Sequence, residues 1–65
     1  MKTREQATQE AKRATADGGS AFVMVDADQD YFFMFSVDAD DALVGEFGFV
    51  CWVCDGQIED VYEEA

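Results

Sequence analysis

The chain has 65 residues and sets 15 acidic against 4 basic side chains, a net charge of −11. Its 49% hydrophobic and 14% aromatic content excludes a disordered acidic tail, because such tails lack the rings needed to build a core. Charge of this sign excludes direct binding to nucleic acid or to an anionic membrane surface, and it points to a cationic partner.

Residues 1–65 are expected to form one small domain, near the lower size limit for folding alone. All four bases (Lys2, Arg4, Lys12, Arg13) lie at or before Arg13, so the remaining 13 carboxylates have no cation of their own. Their mutual repulsion erodes a stability already reduced by chain ordering, which costs about 1–2 kcal/mol per residue. Salt or a cationic partner should restore it. No apolar run is long enough to cross a bilayer and no signal-peptide pattern is present. The expectation is a cytoplasmic protein.

Residues 3–16 predict a helix. Thr3 and Gln6 fit a capping box, and Ala7, Ala11 and Ala14 make a narrow small-residue face. Lys12 and Arg13 suit the C-terminal end of the macrodipole, and Gly18-Gly19 supplies the stop. Ala21–Val25 reads as a short strand, followed by the polar connection Asp26-Ala27-Asp28-Gln29-Asp30. Tyr31–Val37 is strand-like in length and aromatic content, and Asp38-Ala39-Asp40-Asp41 is the next break. Leu43–Cys54 reads as a third strand that alternates in part, with Leu43, Phe47, Phe49, Cys51 and Val53 on one parity and Val44, Glu46, Val50 and Trp52 on the other. Gly45 and Gly48 suggest a bulge or bend within it. Asp55-Gly56 signals a hairpin if a strand follows, whereas Ile58, Val61 and Tyr62 at helical spacing favour a short helix over Gln57–Ala65. The helix is the preferred reading of that tail. The expected architecture is α+β: an N-terminal helix packed on an antiparallel meander of three strands, or four if the tail is extended.

Val-Asp-Ala-Asp occurs twice, at residues 25–28 and 37–40. Each copy is read as a strand end plus its turn, at opposite ends of the middle strand. The stripe Phe32, Met34, Phe47, Phe49 and Trp52 is expected to be core. Tyr31, Phe33 and Phe35 fall on the other face, so the second strand is aromatic on both sides. Such a strand is either covered twice or part of an interface, leaving monomer and homodimer both open.

Several motifs have a bland and a sharp reading. The run Asp26-Ala27-Asp28-Gln29-Asp30 begins like a calcium loop. It then places Tyr31 where glycine is required and Val37 where glutamate is required, so weak nonspecific cation association is the preferred reading. Cys51-Trp52-Val53-Cys54 is a CxxC with no histidine and no further cysteine to complete a zinc site. Strand-like, acidic flanks do not activate a thiol. The two cysteines are read as small packing residues, with a zinc or redox site across a dimer as the alternative. No cofactor or metal is expected. There is no histidine or Gly-rich phosphate loop, and Ser20 and Ser36 have no base partner. The chain is not expected to be an enzyme.

The candidate interaction residues are therefore the acids: Asp26, Asp28 and Asp30 in the first turn, Asp38, Asp40 and Asp41 in the second, and Glu59, Asp60, Glu63 and Glu64 in the tail. If extended, Asp26, Asp28 and Asp30 would space carboxylates about 6.7 Å apart on one side. Such groups suit the Arg and Lys that a DNA-binding protein directs at phosphates.

A chain this short, acidic and aromatic-rich, with no catalytic residues, resembles the small anti-CRISPR proteins of phages and mobile elements. Within them it is most similar to the DNA-mimicking inhibitors of type I (Cascade-type) systems, those of subtype I-C included, which in a phage-encoded case act in the host cytoplasm. The resemblance lies in size and composition, and no residue carries over by motif. It implies a partner that is the Cas subunit recognising the protospacer-adjacent motif, and an action that blocks target DNA. The basic N-terminal helix departs from that pattern. The competing expectation is a halophilic or otherwise generic acidic soluble protein with no inhibitory role.

Overall fold

The computed structural model describes residues 1–39 and 47–62. One helix, α1 (Arg4–Ala14), precedes four strands: β1 (Ser20–Val25), β2 (Tyr31–Phe35), β3 (Gly48–Cys54) and β4 (Gln57–Val61). They form a single antiparallel sheet in the order β2-β1-β3-β4. The α+β class with an N-terminal helix on the sheet is as expected, but the sheet is not a meander. β3 pairs with β1 instead of β2, so β1 is interior and β2 is an edge. Residues 40–46, which hold the start of the predicted third strand, lie outside the described residues.

α1 begins with the predicted capping box. The Gln6 backbone N–H donates to Thr3 Oγ1 at 3.1 Å, and the Thr3 N–H donates to Gln6 Oε1 at 3.0 Å, satisfying two donors that a helix start leaves open. Ala7 and Ala11 are fully buried and pack with Ala21, Val23, Val50, Cys51 and Val53. Alanines let the helix axis approach the sheet, so the burial comes mainly from the strand aliphatics, each contributing about 1.5–3 kcal/mol.

Both ends of α1 are tied to turns of the sheet. At the start, the Lys2 N–H donates to Asp30 Oδ1 at 2.8 Å, and Tyr31 N–H donates to the Lys2 carbonyl at 3.2 Å. At the end, the buried Thr15 hydroxyl donates to the Ala11 carbonyl at 2.9 Å and accepts the Gly56 N–H at 3.0 Å. Asp55 N–H donates to Gly19 O at 3.1 Å beside it. The β3–β4 hairpin is thereby fastened to the helix terminus.

That hairpin decides the tail. Asp55 and Gly56 have φ of +53° and +81°, the left-handed pair that joins adjacent strands in a type I′ turn. Gln57–Val61 of the tail is strand β4 and not the preferred helix; residues 63–65 lie outside the described residues. The helix-like spacing of the tail has a separate cause. A register shift opposite Trp52–Val53 puts one extra residue, Glu59, into β4. Ile58 and Val61, three apart, consequently lie opposite Val53 and Cys51 on the same sheet face.

A second bulge alters the parity of β3. Val23 pairs with Cys51 and Met24 with Phe49, leaving Val50 as the extra residue. Val50, Cys51 and Val53 all pack under the helix, while Phe49 and Trp52 share the opposite face with Phe22. The expected grouping of Phe49 with Cys51 and Val53 is corrected by this one inserted residue.

The expected aromatic core is also revised. The fully buried hydrophobics are Ala7, Ala11, Ala21, Val23, Met24, Val50 and Val53, with Cys51 nearly so, and no aromatic ring is among them. Rings instead form a layer on the face away from α1. Phe22 meets Phe49 at 5.1 Å between centroids and Trp52 at 6.4 Å; Phe32 meets Phe47 at 5.1 Å, and Phe49 meets Tyr62 at 5.8 Å. Tyr31 and Phe33 pack on the helix side, so β2 is aromatic on both faces as its alternation required.

Replacing Thr15 by Val keeps the volume and removes the hydroxyl that joins helix to hairpin. It should lower unfolding free energy by about 1–3 kcal/mol, since the Gly56 N–H loses its acceptor. Thr15→Ser, which retains both hydrogen bonds, should cost no more than about 1 kcal/mol for its lost methyl. Urea denaturation of the two variants checks the ordering.

Candidate acidic interaction surface

The two Val-Asp-Ala-Asp copies fold differently. In the first, Val25 ends β1 and Asp26 organises the β1–β2 turn. Asp26 Oδ1 accepts the N–H of Asp28 at 2.8 Å and of Asp30 at 3.1 Å, and Gln29 takes a φ of +66°. Asp26 and Asp30 are half-buried and only Asp28 is exposed. The three carboxylates are therefore not an extended row at regular spacing. Two of them hold backbone donors, because a reversal this tight turns N–H groups inward with no strand to receive them. In the second copy the strand has already ended at Phe35. Asp38 and Ala39 N–H groups both donate to the Phe35 carbonyl, at 2.9 and 3.2 Å. Val37 is 93% exposed, and Asp38 is exposed beside it.

The turns still fall at opposite ends of β2, but of an edge strand of 5 residues, which spans about 17 Å at 3.3 Å per residue. Glu59 and Asp60 lie on β4 at the far edge, both exposed, separated from β2 by three strand spacings, or roughly 14 Å. The described acids among those predicted therefore line the rim of the sheet and do not meet in one cluster. Asp40, Asp41, Glu63 and Glu64 lie outside the described residues.

Two further acids join this rim: Asp55, expected only as part of a turn, and Asp17, which no sequence motif singled out. Asp17 follows the helix, and Asp55 opens the β3–β4 turn; both are exposed. The Asp55 N–H bond to Gly19 brings the two turns side by side. With Asp38, they surround the Ser20 end of β1, where the Ser36 N–H donates to Ser20 O at 3.0 Å. One end of the sheet thus carries Asp26, Asp28 and Asp30, and the other carries Asp17, Asp38 and Asp55. The four bases are confined to α1 and the segment leading into it, and Lys2 Nζ pairs with Glu10 of the helix itself.

The calcium-loop reading meets a specific obstacle. An Asp26 oxygen already accepts two backbone donors. Among the described residues no three His, Cys, Asp or Glu side chains converge as a metal site. The CxxC pair is split by the sheet: Cys51 is buried under the helix opposite Val23, and Cys54 is half-buried opposite Ser20, on the other face. Three residues of strand put their Cα atoms about 10 Å apart, beyond the reach of a disulfide. Burial raises the Cys54 thiol pKa, and the Asp55 and Glu59 carboxylates push it further the same way. Tyr62 is raised too, by burial first, then by Asp60 and Cys51. A shallow depression of about 480 Å³ runs along α1, lined by Thr3, Gln6, Gln9, Arg13 and two glutamates. It holds no nucleophile with a base beside it. Among the described residues no helix is long and apolar enough to cross a membrane.

No protein-family model, curated protein or solved structure matches this chain.

The division of the acids into turn-holding and free is directly measurable. Asp26→Ala should destabilise the fold by about 1–2 kcal/mol, in the range of lost caps, while Asp28→Ala should stay within about 0.5 kcal/mol of the parent. Thermal unfolding of both variants at one salt concentration distinguishes them.

The thiol and phenol shifts set an alkaline limit. Both groups hold protons more tightly when folded, so the folded state binds more protons than the unfolded one as pH climbs past the ordinary thiol value, about 8.5. Stability is then fully present below that pH and falls above it. Cys54 should alkylate more slowly with iodoacetamide at pH 8 than the same chain in urea. A native rate equal to the unfolded rate would contradict the assignment.

Proposed function

We propose that this chain is an acidic decoy that binds a cationic nucleic-acid-binding protein and keeps nucleic acid off it. The observation that carries this reading is the placement of exposed carboxylates at both ends of the sheet and along β4, with every base held on or before the helix. The body measures 30 × 24 × 20 Å. A DNA duplex 30 Å long carries about 18 phosphate charges. The chain past Arg13 carries 13 carboxylates, 8 of them in the described residues, the same order of charge. A decoy needs no catalytic group and no pocket, only charges held apart at fixed positions.

The resemblance to acidic anti-CRISPR proteins gives the candidate partner: the type I effector subunit that reads the protospacer-adjacent motif. Its Arg and Lys side chains, placed for phosphates, would meet Asp28, Asp38, Asp55, Glu59 and Asp60. Asp26 and Asp30 would contribute indirectly, by shaping the turn that displays Asp28.

The test is displacement of target DNA from a purified type I Cascade complex at about 0.15 M salt, the physiological range. The chain should compete, and competition should weaken steeply with added salt. Replacing Asp28, Asp38, Asp55, Glu59 and Asp60 together with their amides leaves the backbone contacts intact. It should raise the inhibitory concentration roughly 30- to 150-fold, at about 0.5 kcal/mol per exposed pair. Undiminished inhibition by this variant would exclude the electrostatic mechanism. A chain that folds only in molar salt would instead be a halophilic acidic surface.

A further inference from the structure

β4 is the terminal strand of the sheet, and all 5 of its residues are exposed. Three of the large apolar side chains left exposed by the fold are here: Ile58 at 42%, Val61 at 57% and Tyr62 at 46%. The other edge is treated differently. On β2 the Tyr31 N–H is already taken by the Lys2 carbonyl, and Tyr31 and Phe33 pack into the core under the helix.

Antiparallel pairing turns alternate residues of an edge strand outward. Gln57 closes the hairpin opposite Cys54, and the Tyr62 N–H donates inward to Val50 O at 2.9 Å. Ile58 and Val61, lying between them, therefore direct their backbone N–H groups away from β3. The same two residues carry apolar side chains on the helix-side face. Between them stand Glu59 and Asp60. Among the described residues nothing pairs with this edge, which thus presents open backbone donors, two apolar anchors and two carboxylates within one strand.

We propose that this edge of β4 docks an extended cationic segment of a partner protein, which adds to the sheet as a fifth strand. Backbone hydrogen bonds supply the affinity, and side chains of the incoming strand supply the selection. Lys or Arg positions would face Glu59 and Asp60, and apolar positions would cover Ile58 and Val61. A second copy of this chain fits badly. Antiparallel pairing of β4 with itself about a two-fold axis brings Glu59 and Asp60 against their own counterparts, and like charges directly opposite are destabilising. The choice of a cationic partner rests on the function proposed above; the open edge does not.

The probe is an octapeptide of alternating Lys and Val, compared with one of alternating Thr and Val, titrated into the isotopically labelled full chain. The Lys-Val peptide should shift and protect the amides of Ile58 and Val61, leave those of β2 unmoved, and bind about tenfold more tightly than the Thr-Val peptide. Val61→Pro removes an outward N–H that the sheet does not use and blocks strand addition. It should abolish the protection while leaving the Trp52 fluorescence of the folded chain unchanged. Shifts confined to the Asp28 and Asp38 turns would overturn the proposal in favour of simple charge association. Equal binding of both peptides would overturn its cationic part, and concentration-dependent dimerisation through β4 would replace the partner with a second copy. Cascade displacement by the Val61→Pro chain separates the two readings. Full activity would remove the edge from the inhibitory mechanism and leave the acidic decoy standing, whereas failure of the parent chain itself to displace DNA would remove the decoy and leave the peptide result to decide the edge.

Discussion

A chain with no cation beyond Arg13 cannot neutralise a partly buried carboxylate by an ion pair from its own sheet, so such a carboxylate must find backbone N–H groups or stay in water. This constraint organises the fold. Asp26 resolves it by accepting two N–H groups of its own turn, and Asp30 by accepting the Lys2 N–H. The other acids of the described strands and turns remain on the rim, where water screens them. Among the described residues the buried side chains are alanines, valines, Met24, Cys51 and one threonine. Thr15 is the one fully buried polar residue among them, and its hydroxyl both donates and accepts; the indole Nε1–H of half-buried Trp52 is also shut off from water and has no hydrogen-bond partner among the described residues. Desolvating a group without such partners costs more than any one hydrogen bond contributes.

The same constraint explains why the helix is fastened at its ends. Alanine contacts bury little area, so close approach of α1 to β1 does not by itself fix the helix direction. The Lys2–Asp30 and Lys2–Tyr31 bonds fix one end, and the Thr15–Gly56 bond fixes the other. Each joins the helix to a turn of the sheet that also carries acids. Folding the helix onto the sheet thus sets the positions of Asp28 and Asp55 relative to one another. The charge pattern is a property of the tertiary structure and not of the turns alone.

Local signals in the sequence identified what local chemistry decides. The capping box, the alanine face, the aromatic β2 and the Asp55-Gly56 turn are all short-range features, and each was legible. Three outcomes depended on single inserted residues or on long-range pairing. Val50 as a bulge moved Phe49 and Trp52 together, and Glu59 as a bulge gave a strand the apolar spacing of a helix. The insertion of β1 between β2 and β3 depended on a pairing of distant segments that no turn signal encodes. Among the described residues, the acids picked out by density lie in the turns beside β2 and on β4. Density could not separate Asp26, which builds a turn, from Asp28, which only decorates it, because the distinction lies in which backbone donors the turn leaves open.

Edge strands are usually guarded by lysine, proline or a bulge, which discourage any further strand from pairing. β4 has a bulge and two carboxylates, and it lies in a chain whose other strands hold no base. In such a molecule an acidic edge is a selective guard. It repels every other copy of the chain, all equally anionic, while adding to the attraction for a cationic segment. The bulge at Glu59 strengthens the local twist, which further disfavours a long flat pairing but tolerates a short one. On the proposed reading, solubility and recognition would be two consequences of the same charges. What separates them is the apolar pair Ile58 and Val61, which solubility alone would not place on an exposed edge.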